Sequence, residues 1–133
     1  MPDTFADLPA LATPMLRPVM QALRDVILSR DPSATEVIRL GHRAASHGPG
    51  PEKMSQAYAY IMPQPCWINL GFYRGGPVLP DPTGLLDGAG TRLRHVKIDA
   101  VNDAATPALL TLLDAARRER LAALGILSPA PQK

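Results

Sequence analysis

Two periodicities divide the 133-residue chain into helices and strands. Near the start, Met15, Val19, Ala22, Leu23, Val26 and Ile27 fall at i, i+4, i+7, i+8, i+11 and i+12, which is one stripe of an amphipathic helix. The spacing predicts a helix over 15–30, opened by Thr13-Pro14 and closed by Asp31-Pro32. Pro18 belongs in its first turn, because deeper in the helix it would cost about 3 kcal/mol. Near the end, Leu109, Leu112, Leu113, Ala116, Ala123 and Leu124 form a second stripe. Thr106-Pro107 is a good N-cap and first-turn pair for that helix, and Gly125 is placed to terminate it. Arg117, Arg118 and Arg120 lie in its C-terminal half, where positive charge suits the helix dipole.

Between the helices the period shortens to two. Thr35 to Leu40 and Ala44 to Ser46 read as short strands, the second ending at the breaker cluster His47-Gly48-Pro49-Gly50-Pro51. Gln56 to Met62 and Cys66 to Tyr73 are aromatic and β-branched and flank Pro63-Gln64-Pro65, the best hairpin signal in the chain. A three-residue loop would set Tyr60 opposite Ile68 and Tyr58 opposite Leu70, giving a core stripe, with Trp67, Asn69 and Gly71 on the other face; this is the favoured register. A four-residue connection would move the pairing by one and place Tyr58 and Tyr60 beside Trp67 and Asn69, an aromatic floor with a polar amide. Arg94 to Ile98 alternates again, with Arg94, Val96 and Ile98 opposite His95 and Lys97.

Helix, several strands, helix, with no helix between strands, argues against parallel βαβ units. The expected class is α+β: an antiparallel sheet of about four to five strands with N- and C-terminal helices packed on one face. Size fits a single domain, with its core over about 10–124 and a flexible tail over 128–133.

Composition sharpens the picture in one respect. Fifteen prolines and 10 glycines call for short elements and structured loops, and the stretch from Gly75 to Gly90 concentrates them. A loop of that length in a compact domain is usually functional, and Leu79, Leu85 and Leu86 give it apolar anchors. The formal charge of +2 is small and the basic residues are scattered, which argues against a nucleic-acid surface. A single Cys66 permits no intramolecular disulfide. The first seven residues hold two acids and no leader-like apolar core, and no apolar run approaches the roughly 18 residues of a membrane span. A cytoplasmic protein with no membrane partner, monomer or homodimer, is expected.

The runs Ile68-Asn69-Leu70-Gly71-Phe72-Tyr73-Arg74-Gly75, Leu79-Pro80-Asp81-Pro82, Gly84-Leu85-Leu86-Asp87-Gly88-Ala89-Gly90 and Arg92-Leu93-Arg94-His95-Val96-Lys97 resemble the signature of the YdhG-like family, a bacterial domain of unknown function numbered 1801. A looser likeness extends to Gly48-Pro49-Gly50-Pro51-Glu52-Lys53-Met54 and the terminal helices. The resemblance implies a small α+β domain, and through some frataxin-like relatives it implies an iron-handling chaperone. Iron is a cofactor or cargo by that resemblance only. Frataxin-like binding uses an acidic ridge, because hard cations want several carboxylate oxygens, whereas helix 15–30 carries only Asp25, opposed by Arg17, Arg24 and Arg30.

Candidate chemistry lies near the last strand. His95 and Lys97 project from one face, Arg92 and Arg94 flank the Gly88-Ala89-Gly90 turn, and together with the Trp67/Asn69 face they could hold a carboxylate or phosphate. Asp81, a turn former by its Asx chemistry, lies on the bordering loop. The glycines precede a strand and not a helix, so neither a dinucleotide fingerprint nor a P-loop is present. His42, His47, His95 and Cys66 have no ligand spacing for a metal. Cys66 with His95 and Asp81 is only formally a nucleophile set, lacking an elbow or oxyanion signature. A buried, inert thiol is the expectation for Cys66. The sequence therefore points to a small-ligand (anion) or protein-binding module without catalytic residues; an iron chaperone of frataxin type comes second and an unrecognised hydrolase third.

Overall fold

A computed structural model describes residues 5–52, 55–73, 86 and 94–126. Five strands, β1 (Thr35–Arg39), β2 (Ala44–Gly48), β3 (Ala59–Pro63), β4 (Ile68–Phe72) and β5 (Arg94–Ile98), form one antiparallel sheet in the order β1-β2-β3-β4-β5. Helices α1 (Arg17–Arg30) and α2 (Pro107–Ala123) share one hydrophobic core with one face of that sheet, so the α+β architecture is the observed one. Ile61, Ile68, Leu70 and Phe72 meet Met20, Leu23 and Ile27 of α1 and Leu109 and Leu112 of α2 in that core. No described helix is long and apolar enough to cross a membrane.

The helix ends follow from local chemistry. Pro18 sits in the first turn of α1, where its missing N–H has no intrahelical partner to lose. Met15 lies before the helix, in the 3-10 turn Pro14–Leu16, and is 86% exposed, so the apolar stripe begins at Leu16 instead. Thr106 Oγ1 accepts the Leu109 N–H as N-cap of α2. At the other end Ile126 N donates to Leu121 O and Gly125 N to Ala122 O, a Schellman closure that needs the left-handed Gly125 (φ 69°). Packing starts earlier in the chain than the expected core: Phe5, in the 3-10 turn Phe5–Asp7, and Leu8, the N-cap of the next turn Pro9–Leu11, are buried.

The hairpin register differs from the favoured one. Gln64 N donates to Trp67 O at 2.8 Å, closing a four-residue connection, and Pro63 is the last residue of β3, opposite Ile68. Tyr60 pairs with Gly71 and Met62 with Asn69, so the core stripe is Ala59, Ile61, Ile68, Leu70 and Phe72. The reason lies in the alternation of antiparallel bonding. Because Gln64 and Trp67 bond directly, Pro63 occupies a position whose nitrogen points away from β4, on the side where β2 has already stopped pairing at Ile61. Its lack of a donor costs nothing there, and the strand extends through it. Cys66 falls in the connection and is exposed, not buried in an apolar stripe.

Candidate functional site

The sheet has a second face, away from the helices, and the register collects most of the anticipated residues on it. Asn69 pairs with Lys97, and Gly71 with His95. Trp67, two residues before Asn69, joins them. Its Nε1–H donates to Asn69 Oδ1 at 2.6 Å, and Lys97 Nζ lies 4.6 Å from the centre of its ring. Since only the amide oxygen can accept from an indole N–H, the Asn69 amide is oriented with its two donors unspent on that bond. The ammonium over the indole is a cation–π pair, worth about 0.5–1 kcal/mol at an exposed site, enough to bias where Lys97 rests. Lys97 is exposed and His95 half-buried, and Lys97 has no carboxylate partner among the described residues.

Beside this cationic end is an aromatic wall. The Tyr60 ring covers Gly71 so closely that a Cβ there would stand 1.8 Å from Tyr60 Cζ, and the rings of Tyr60 and Tyr73 are 5.0 Å apart at 52°. Burial raises both phenols, Tyr73 to about 12 with the nearby Tyr60 adding to the effect, so each remains a neutral hydroxyl at pH 7. This wall appeared in the sequence only through the alternative register. Tyr58 does not belong to it: buried in the helix-side core, its hydroxyl donates to Asp31 Oδ2 at 2.9 Å.

The other anticipated residues fall elsewhere. Strand alternation puts Arg94 with Val96 and Ile98, on the opposite face from His95 and Lys97. Asp81 and Arg92 lie outside the described residues, as does the 77–90 loop apart from Leu86, which is half-buried against the core. A cavity of about 220 Å³ that the sequence did not reveal opens at the β5 edge, lined by Val96, Lys97, Ile98, Asp103, Thr106 and Leu109. The 3-10 turn Val101–Ala105, between β5 and α2, contributes Asp103 to its lining, and no hydrophobic period announces such a turn.

A separate polar network lies under the helices. Glu36 takes two bonds from Arg24 (2.8 and 3.0 Å) and one contact of 2.8 Å from His47 Nε2, with His47 wholly buried. Burial alone would raise the Glu36 carboxyl; the bonds from His47 and Arg24 outweigh it and hold the group at about 2. Next to it Asp31 accepts from Tyr58 and pairs with Arg117 at 3.3 Å, and burial together with that carboxylate pushes the Tyr58 phenol far above its ordinary value. The α2 arginines expected to serve the helix dipole are thus partly structural, Arg120 donating to Ser55 O at 2.6 Å. His47 Nδ1 has no hydrogen-bond partner among the described residues. These groups join α1, α2 and the sheet around the wholly buried His47, with Arg24 and Glu36 only partly exposed, so they suit anchoring better than chemistry.

The residues weighed as metal ligands are dispersed: His47 in the core, His42 in an exposed turn, Cys66 in the hairpin connection, His95 on the outer face. Among the described residues no three His, Cys, Asp or Glu side chains gather as a metal set. Comparison with protein-family models, curated proteins and solved structures finds no match.

Proposed function

We propose that the protein is a non-catalytic binding module that holds a small anion, a carboxylate or a phosphate, on the outer face of β4 and β5. The observation that carries this reading is Lys97 poised over Trp67 with no neutralising carboxylate among the described residues, beside the oriented amide of Asn69 and the imidazole of His95. A cation with no carboxylate partner among the described residues, beside an oriented amide, is suited to an acidic ligand, because charge-assisted bonds form without first breaking an internal pair. In the same reading the chain is a YdhG-like domain: the described residues that carry the resemblance, Ile68 to Tyr73 and Arg94 to Lys97, are the two strands that build this face.

Thermal denaturation with phosphate, acetate, Fe²⁺ or Zn²⁺ tests it. Phosphate at about one hundred times its Kd is expected to add about 2.7 kcal/mol of stability, and Lys97→Ala to remove about 1–2 kcal/mol of that gain. Stabilisation by Fe²⁺ with no response to either anion would transfer the assignment to metal handling.

A further inference from the structure

We infer that the edge of β5 with which no described strand pairs captures an extended segment of a partner protein, in which an apolar residue is flanked on both sides by acidic ones. The backbone states where such a segment would bond. Gln64 N to Trp67 O and Tyr73 N to Tyr58 O fix the parity of the β3–β4 ladder, so Asn69 and Gly71 bond to β3. Ile68, Leu70 and Phe72 therefore bond to Ile98, Val96 and Arg94. The N–H and C=O groups of His95 and Lys97 are left pointing away from the sheet, and no described strand pairs with them.

The side chains then specify the occupant. Residues of an added strand opposite His95 and Lys97 would share their face, beside an imidazole and an exposed ammonium, which favours carboxylates there. The residue between them, opposite Val96, would point to the helix side, where the 220 Å³ cavity offers Val96, Ile98 and Leu109 as apolar lining beside Lys97, Asp103 and Thr106. That volume is below the roughly 300–1,000 Å³ of whole-ligand pockets and suits one side chain. A second copy of the chain is a poorer occupant: antiparallel self-pairing about Val96 would set His95 against Lys97 of the other copy, and lysine on an edge strand is a common guard against such pairing. Strand addition with one side-chain pocket is an established mode of peptide recognition. The inference shares Lys97 with the anion-holding face but rests on the β5 backbone, so the two can fail separately.

The test uses fluorescein-labelled, end-capped peptides added to the full chain: alternating glutamate and leucine, the same peptide N-methylated at alternate backbone nitrogens, and alternating lysine and leucine. The first is expected to bind saturably, at least about tenfold tighter than either other peptide, and to slow amide exchange of His95 and Lys97 by about tenfold with Val96 unchanged. Equal binding of the N-methylated peptide, or binding without slowed exchange at His95 and Lys97, overturns the edge assignment. So does a chain that is dimeric alone with those two amides already protected. Response to phosphate without peptide binding removes the edge site and leaves the anion face; protected peptide binding without a phosphate response does the reverse.

Discussion

Glu36→Gln is expected to lower stability at pH 7 by about 2–3 kcal/mol and to flatten the acid limb of the stability curve. The carboxylate is 18% exposed and serves a wholly buried His47 and an Arg24 that is 32% exposed. Removing one member of a buried charged set costs about 3–5 kcal/mol; the lower figure applies because Arg24 can regain water. The pH dependence has a definite sign. The carboxyl sits at about 2 in the folded chain against 4.5 ordinarily, so the unfolded chain takes up the proton first as pH falls. The stabilisation is whole above about 4.5 and drains away as pH drops towards 2. Urea denaturation from pH 7 to pH 2 measures this: the native chain should lose stability through that window faster than the variant, and the two should converge at its acid end. Parallel curves would mean that Glu36 is not the group so held.

Gly71→Val should cost about 2 kcal/mol although valine favours strands. Its Cβ would enter the space of the Tyr60 ring, at 1.8 Å from Cζ, and that ring is also held by Tyr73 at 5.0 Å. The cost is specific to this pair, which a double-mutant cycle resolves: with Tyr60→Ala already present, Gly71→Val should be nearly neutral, a coupling above about 1 kcal/mol in denaturant titrations. Additive effects would show that the Tyr60 ring does not lie on Gly71. The cycle therefore also tests the hairpin register from which the outer face is built.

That register marks the boundary of what the sequence made legible. Helical periods located α1 and α2, Thr106 and Gly125 marked the ends of α2, and alternation placed β5 with its His95/Lys97 face. Those features are local, each decided by a few neighbouring residues. The parity of β3 against β4 depended on whether Pro63 ended the strand or began the loop, and that is settled by where β2 stops pairing. Proline at such a position satisfies both readings locally. For the same reason Tyr60 was legible as an outer-face residue only in the alternative, and Cys66 was misplaced inside an apolar stripe. His47 shows a related failure: the glycine and proline residues around it read as a breaker, yet it lies within β2 opposite Glu36, a partner found only through strand pairing. The β5-edge cavity was invisible because its lining comes from β5, the 3-10 turn Val101–Ala105 and the start of α2, which meet only in the fold.

The central claim is that Trp67, Asn69 and Lys97 form one prepared cationic platform on the sheet, and the chain's single tryptophan reports on it directly. Titrating phosphate while following Trp67 emission should give a saturable change as Lys97 leaves the indole for the anion, absent in Lys97→Ala. Emission that stays flat, or that drifts equally in both proteins, would contradict the account.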